Sequence, residues 1–275
     1  MDLGEINLFR VNRQVDFGYY LINAYDEEVL LPISESPKDL KIDDDLEAFV
    51  YKDSEDRVIA TTLEPLLKIG EFNALRVTQV NQIGAFADWG MRKDLLIPFQ
   101  EQVIPLQEGR KYVVTMFLDQ KSKRLVGTTR IDKFLKKESY GLKDWDQVDI
   151  LIFKRTDLGY KAVVNQEFEG LIYENEIFEK VTIGDKRKAF VKKVREDGKL
   201  DLVLQKPGFS GVEDRSEEIL NRLKEGNGFL AFNDKSDPDI IRDNLHMSKK
   251  TFKKIIGNLY KNKVITIEEN GIRLV

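Results

Sequence analysis

Two groups of lysines are the residues whose type and spacing suit a chemical task, and that task is the binding of phosphate. One group lies in a dense basic stretch at residues 186–195, and the other crowds the first turns of a predicted helix. A cation at a helix start opposes the helix dipole and costs roughly a few tenths of a kcal/mol. Several lysines at such a start therefore indicate an anionic ligand. Lysine runs are also typical of solvated strands and helices. The lysines are Lys188, Lys192, Lys193, Lys249, Lys250, Lys253 and Lys254.

The sequence contains no comparable set of residues that suits catalysis. The single histidine, His246, falls in a turn between predicted helices, and the carboxylates Asp43-Asp44-Asp45 fall in a predicted loop, where such runs are usually solvated. The chain has no cysteine, and it contains neither a Walker-type glycine-rich loop nor a His-Glu-x-x-His motif. We therefore expect no enzymatic activity, no bound metal and no cofactor.

A pattern of marker residues occurs three times along the chain with the same internal spacing. In each copy two successive steps of 14 residues separate the markers. A fixed internal period indicates one structural unit that is duplicated and used in series. The markers are Gly4, Gly18 and Pro32, then Gly70, Gly84 and Pro98, and finally Trp145, Gly159 and Tyr173.

Each copy has the pattern of five short strands. Apolar residues alternate or run in fours, and β-branched and aromatic types dominate. Five short strands in about 65 residues, with a glycine where the sheet must bend, predict a small closed barrel. In the second copy the predicted strands are Ala74–Val80, Ala85–Trp89, Asp94–Pro98, Tyr112–Leu118 and Arg124–Arg130.

The pattern changes to a helical period after Pro207–Gly211. Ser236-Asp237-Pro238 is a typical helix opening, and Asn270-Gly271 is a typical hairpin turn. Helix, helix-turn-helix and hairpin in this order predict a winged helix. The predicted elements are helices over Ser216–Lys224, from Pro238 and from Ser248, and strands Val264–Ile267 and Ile272–Val275.

The three copies resemble a known nucleic-acid-binding family. The run Ile83-Gly84-Ala85-Phe86-Ala87-Asp88, followed by Leu95-Leu96-Ile97-Pro98, closely resembles the S1 RNA-binding domain, an OB-fold. Phe17-Gly18-Tyr19-Tyr20 matches it in the first copy and Leu158-Gly159-Tyr160-Lys161 in the third. The resemblance implies a nucleic-acid face with rings around the glycine and a basic residue that opens the fifth strand. The implied residues are Phe17, Tyr20, Arg57, Phe86, Arg124, Lys161, Tyr173 and Lys199.

None of the three copies contains the complete S1 pattern. Pro32 and Pro98 stand where the family usually has a histidine, Ile83 replaces an aromatic residue, and Lys161 replaces another. Exposed rings on such a barrel stack unpaired bases, while lysine and arginine follow the phosphates. Any one ring on a small barrel can instead point into the core, because interior and exterior positions alternate.

Tandem S1-like domains followed by a winged helix resemble the bacterial conserved virulence factor B family. The implied fold is mostly β with a small α+β carboxyl-terminal domain. We expect three OB barrels over residues 1–65, 66–132 and 140–207, and a winged helix over 212–275, with hinges at Lys133–Lys143 and Pro207–Gly211. The expected function is low-specificity binding of single-stranded RNA in the regulation of gene expression.

The net charge of −4 is distributed unevenly along the chain. Residues 1–65 hold 16 acidic and 6 basic residues, whereas residues 66–132, 133–207 and 208–275 carry net charges of +3, +2 and +1. Phosphate contacts dominate nucleic-acid affinity, so we expect RNA on the second and third barrels and the winged helix. The acidic first barrel leaves a protein-interaction scaffold open as an alternative. A DNA-binding regulator led by the winged helix is another, although Glu268 and Glu269 at the hairpin tip would repel phosphates. The chain has no membrane-length apolar run, which predicts a cytoplasmic protein.

Overall fold

Three stretches of the chain fold into five-stranded β-barrels of the same topology, and a winged helix follows them. The computed structural model describes residues 1–53, 55–205 and 212–275. The first barrel closes in the order β1-β2-β3-β5-β4, with one parallel pair, β3–β5. The mostly β fold class and the three tandem barrels are confirmed. The strands of the first barrel are β1 (Ile6–Val15), β2 (Gly18–Ile22), β3 (Glu28–Pro32), β4 (Asp45–Lys52) and β5 (Val58–Thr61).

The second and third barrels repeat this strand order. The third closes as the first does, through a parallel β13–β15 pair. In the second, β8 and β10 are the two end strands of the sheet, and they pack together around Gly127 without ladder hydrogen bonds. A Cβ at Gly127 would lie only 2.8 Å from Cγ1 of Ile97. The strands of the second barrel are β6 (Phe72–Val80), β7 (Gly84–Asp88), β8 (Leu95–Pro98), β9 (Lys111–Leu118) and β10 (Leu125–Thr128). Those of the third barrel are β11 (Gln147–Thr156), β12 (Gly159–Val164), β13 (Phe168–Tyr173), β14 (Lys186–Val194) and β15 (Leu200–Val203).

The repeated glycines hold one structural position in the three barrels. Gly18, Gly84 and Gly159 each begin the second strand of their barrel. A Cβ there would lie 2.2, 2.4 and 2.0 Å from a carbonyl oxygen of the facing strand, respectively. The two backbones can approach this closely only because glycine has no side chain. The equal spacing in the sequence therefore reflects one close contact that each barrel requires.

The first two barrels share a hydrophobic core. Phe49 and Tyr51 of β4 contact Trp89, with ring centroids 5.7 and 6.2 Å apart, respectively. Beside them the Arg92 guanidinium lies 2.9 Å from the Glu35 carboxylate, whose side chain is 3% exposed. Burial of three large rings in one cluster docks the acidic first barrel firmly on the second.

The second and third barrels are also docked. Phe72, Leu151 and Val163 are buried in one cluster between them. The side-chain amide of Gln166 makes two hydrogen bonds to the backbone of Phe72. Its Oε1 accepts from the Phe72 N–H at 2.7 Å, and its Nε2 donates to the Phe72 carbonyl at 3.3 Å. Because both amide groups are satisfied, this contact fixes the orientation of the joint.

The carboxyl-terminal domain is the predicted winged helix. Asp237 caps α2 and Ser248 caps α3, and each side chain accepts backbone N–H bonds of the first turn. The core of the domain includes Phe252, Ile255 and Leu259 on one side of α3. The elements are α1 (Val212–Glu225), β16 (Phe229–Leu230), α2 (Pro238–Leu245), α3 (Lys249–Lys261), β17 (Ile265–Glu268) and β18 (Gly271–Leu274).

The hairpin of the wing differs from the predicted one. Glu268 pairs with Gly271, so the turn residues are Glu269 and Asn270 rather than Asn270-Gly271. Neither Asn270 nor Gly271 has a positive φ. Gly271 is required for space instead, since a Cβ there would lie 2.2 Å from the Leu230 carbonyl oxygen. The third strand of this sheet, β16, was not predicted because it contains only two residues.

One of the two predicted hinges can be described. In the Lys133–Lys143 stretch the Lys136 N–H donates to the Glu167 carbonyl at 2.8 Å, and Leu135 packs against the cluster between the barrels. This stretch is therefore anchored near its start. The other predicted hinge, Pro207–Gly211, lies outside the described residues. Within the described ranges, no helix is long and apolar enough to cross a membrane.

Candidate nucleic-acid interface

Two of the three predicted site residues of the first barrel are engaged by neighbouring charged groups. Phe17 precedes β2 and is 57% exposed. The ring of Tyr20, in β2, is covered by the Arg13 guanidinium, whose carbon lies 3.7 Å from the ring centroid. Arg57 precedes β5 and pairs with Asp53 at 2.7 Å. Of these three residues, Phe17 therefore offers an exposed ring, whereas the charge of Arg57 is neutralised.

A cleft of about 650 Å³ opens on the second barrel beside the first. Phe86 from β7 and Phe117 from β9 line it, and the Phe117 ring contacts Phe134 at a centroid distance of 5.6 Å. Ile83, which is 58% exposed, also lines the cleft. Cationic side chains from both barrels share these walls, namely Lys52, Lys93, Lys121 and Arg124. The fold thus brings the predicted residues Phe86 and Arg124 into one site.

This combination of rings and cations suits a single nucleic-acid strand. An unpaired base can stack on a half-buried ring, with a typical contribution of about 1–3 kcal/mol per base. Guanidinium and ammonium groups a few ångströms away can bind the flanking phosphates. Phe117, Lys52 and Lys121 were not predicted, because their strands or loops reach the cleft only after the barrels close and dock.

Lys161 of the third barrel is held by two carboxylates. Its Nζ lies 3.1 Å from Asp132 and 3.0 Å from Glu169. Burial alone would lower the pKa of Lys161, but the hydrogen bonds to Glu169 and Asp132 outweigh it and raise the pKa. Lys199 lies 3.7 Å from the same Glu169. The fold thus brings Lys161 and Lys199 together around one carboxylate instead of leaving them as two free cations.

Other cations of the third barrel have carboxylate partners as well. Lys188 lies 2.6 Å from Asp149, and Lys192 pairs with Glu176. Tyr173 is half-buried, and its hydroxyl donates to Asp201 at 3.4 Å, while Lys193 is exposed on β14. The positive field of this barrel is therefore weaker than its count of lysines indicates. Exposed ion pairs contribute only about 0–1 kcal/mol, so a phosphate can replace these carboxylates at low cost.

The lysines of the winged helix are the most available cations among the predicted set. Lys250, Lys253 and Lys254 are exposed on α3, and Lys249 is partly exposed. None of the four has a carboxylate within 4.0 Å in the part of the chain that the structure describes. Their charge is thus not compensated by any carboxylate that the structure describes, and it adds to the positive end of the helix dipole.

Three further residues of α3 belong to the same face. Steps of four residues lead from Lys253 to Gly257 and on to Lys261, and Tyr260 lies beside them and is 57% exposed. Gly257 is exposed in the middle of the helix, where a Cβ would meet no atom within 4 Å. Nothing within the domain therefore requires a glycine there. The helical period in the sequence was the signal that could have identified this face.

The histidine and the carboxylate run considered for catalysis make local structural contacts. His246 ends α2 in the left-handed conformation, with φ of 50°, and its N–H donates to the Arg242 carbonyl. Asp44 accepts the Lys41 N–H at 2.8 Å, and Asp45 pairs with Arg10 at 3.0 Å. Among the described residues no group of three or more histidine or acidic side chains could hold a metal ion.

Comparisons with known proteins agree with this architecture. Residues 3–63 match the S1 domain family, and residues 217–274 match the family described as the CvfB-like winged helix domain. The chain is 28% identical to the uncharacterized protein YitL of Bacillus subtilis over 269 residues, which cover 95% of this chain and 89% of that protein. It is 27% identical to the conserved virulence factor B of Staphylococcus saprophyticus, with coverage of 99% and 94%.

A solved structure also aligns along the chain. It is the crystal structure of a multidomain protein with nucleic acid binding domains from Streptococcus pneumoniae, with 23% identity, a TM-score of 0.45, and coverage of 99% of this chain and 98% of that one. The chain has an S1 domain, tandem barrels and a CvfB-like winged helix, and it is similar to conserved virulence factor B and YitL along nearly its whole length. This chain therefore belongs to the CvfB/YitL family.

Proposed function

We propose that this chain is a non-enzymatic cytoplasmic protein that binds single-stranded RNA with weak sequence preference and regulates gene expression after transcription. The observation that carries the proposal is the cleft of the second barrel, where Phe86 and Phe117 lie beside Arg124. Rings accept any base, because every base has a π-face, so weak sequence preference follows from the chemistry of stacking.

The lysine face of α3 supports the proposal from the side of electrostatics. Lys250, Lys253 and Lys254 lie along one exposed face, and they attract phosphates irrespective of sequence. Barrels that stack bases and a helix that holds the phosphates both add affinity without reading the sequence of the strand. Control of expression enters the proposal through the resemblance to the conserved virulence factor B family, which implies a regulatory RNA-binding role; the staphylococcal relatives bear that name.

The wing argues for RNA rather than duplex DNA. Glu268 and Glu269 are exposed at its tip, and the Asn233 side-chain amide donates to both of their carbonyl groups at 3.1 and 2.7 Å. Arg273 lies 2.8 Å from Glu268 and compensates one of these two charges. A tip with uncompensated acidic charge is repelled by the phosphates that flank a DNA groove.

The test compares ligands by fluorescence anisotropy at two salt concentrations. The ligands are labelled unstructured RNA, duplex RNA and duplex DNA, and the proteins are the wild type and a variant with Phe86→Ala and Tyr173→Ala. Tyr25→Ala is the matched control, since this ring is 84% exposed in a turn of the first barrel. We expect unstructured RNA to bind most tightly, the double variant to bind more weakly and the control to bind as the wild type does.

Two outcomes would contradict the proposal. Tighter binding of duplex DNA would assign the function to the winged helix as a DNA-binding regulator. Unchanged RNA affinity of a correctly folded double variant would show that neither ring stacks on a base.

A further inference from the structure

A turn of the first barrel reaches the cation of the second barrel's cleft. Asp56 lies in the turn between β4 and β5 with φ of 64°, and its carboxylate pairs with the Arg124 guanidinium. The turn is preorganised, because the Asp56 N–H donates to the Asp53 carbonyl at 3.2 Å. Lys93 of the second barrel holds it in place by donating to the same carbonyl at 2.9 Å.

The Asp56 carboxylate binds where a phosphate oxygen of a bound strand would bind. Arg124 lines the cleft that contains Phe86 and Phe117, and its guanidinium offers carboxylates and phosphates the same fork of N–H donors. The hydrogen bond from Arg124 also lowers the pKa of Asp56, because it favours the charged form of the carboxyl group. A strand that stacks a base in the cleft and a carboxylate of the first barrel thus compete for one cation.

This pair is not what docks the two barrels. The side chains of Asp56 and Arg124 are 44% and 47% exposed, so their contribution to stability is small. The joint depends instead on the buried Glu35 paired with Arg92 and on the shared aromatic cluster around Trp89. The Asp56–Arg124 pair can therefore open without separating the barrels.

We propose that Asp56 is a built-in competitor of RNA phosphate at Arg124, through which the first barrel lowers the affinity of the second barrel's cleft. The inference rests on the proposed RNA-binding function. It assigns the acidic first barrel a specific role at the joint: a ligand must displace one carboxylate before it gains the Arg124 contact.

Point substitutions in the full chain test the proposal, because deleting the first barrel would expose the shared core. Asp56→Asn removes the competing charge and is expected to tighten binding of a labelled oligouridine of about 12 nucleotides by about 2- to 5-fold, which matches an exposed ion pair. Glu55→Gln is the matched control. It removes the same charge from the same turn, but Glu55 pairs with Arg57 of its own barrel at 2.9 Å.

A third variant separates a specific effect from a general change of charge. In the Arg124→Gln background, Asp56→Asn is expected to give no more tightening than Glu55→Gln, because the shared cation is absent. Thermal unfolding of each variant checks that the barrels remain folded.

The possible results distinguish the two proposals. If the wild type binds and Asp56→Asn and Glu55→Gln have equal effects, the competitor role is wrong and the RNA-binding function stands. If Asp56→Asn binds more tightly than the control, or if it binds where the wild type does not, the competitor role is supported. If neither the wild type nor Asp56→Asn binds RNA, the proposed function is wrong and this inference falls with it.

Discussion

Replacing Gly257 by alanine is expected to stabilise the winged helix and to weaken RNA binding at the same time. In a helix interior, glycine is about 0.8–1.0 kcal/mol less favourable than alanine. Since a Cβ at Gly257 meets no atom within 4 Å, the full propensity difference should appear as added stability. For a domain of this size, about 1 kcal/mol corresponds to a rise in Tm of about 4–8 °C.

The loss of binding has a different origin. Gly257 lies between Lys253 and Lys261 on the exposed face of α3, where a missing side chain allows a phosphodiester backbone to approach the helix. A methyl group there would displace the strand and lengthen the contacts of the flanking lysines. Loss of one phosphate contact lowers the slope of log K against log salt by about 0.7 for a single strand.

The assay combines differential scanning calorimetry with anisotropy titrations at several salt concentrations. Asn221→Ala is the matched control, because it also raises helix propensity at an exposed helical position but lies on α1 rather than on α3. We expect both variants to be stabilised and only Gly257→Ala to bind more weakly. Unchanged binding by a stabilised Gly257→Ala protein would refute the close approach, and a destabilised protein would refute the reasoning about open space.

Three further outcomes are expected. Phe86→Ala should weaken binding of unstructured RNA by about 1–3 kcal/mol in anisotropy titrations, whereas Tyr25→Ala should have no effect; equal effects would exclude base stacking in the cleft. Lys253→Gln should lower the salt slope by about 0.7 without changing which RNA is preferred, and a changed preference would indicate a base contact instead. Arg92→Met should destabilise the joined first and second barrels by about 2–3 kcal/mol in urea unfolding, since it leaves the Glu35 carboxylate buried without its cation; this is below the usual range for a buried pair because Arg92 is 57% exposed. A loss under about 0.5 kcal/mol would mean that water already reaches Glu35.

The repeat was readable from the sequence because its physical cause is local. Gly18, Gly84 and Gly159 each lie 14 residues after the first marker of their copy and 14 before the third, because each barrel needs the same close approach of two backbones. Helix starts at Asp237 and Ser248 were predicted for a similar reason, since a cap bonds only to residues of the next turn. The prediction of the wing turn was wrong for the opposite reason, because it depended on a contact that is not local. Gly271 serves contact with a distant strand, which an Asn-Gly pair does not reveal.

The residues that form the candidate site were only partly predictable. The family pattern and the helical period identified Phe86, Arg124 and the lysines of α3 from their neighbours in the chain. The domain boundaries near residues 65, 140 and 210 remain predictions, as do the binding roles of the site residues.

The partners of the cations were decided by tertiary structure alone. Arg124 meets Asp56, which lies 68 residues earlier in the chain, and Lys161 meets Asp132 across the joint between two barrels. Composition assigns the second barrel a net positive charge, yet it does not show which cations a docked neighbour occupies. Spacing and periodicity act over a few residues and are written in the sequence, whereas charge compensation depends on distances of a few ångströms that exist only after the barrels have closed and docked.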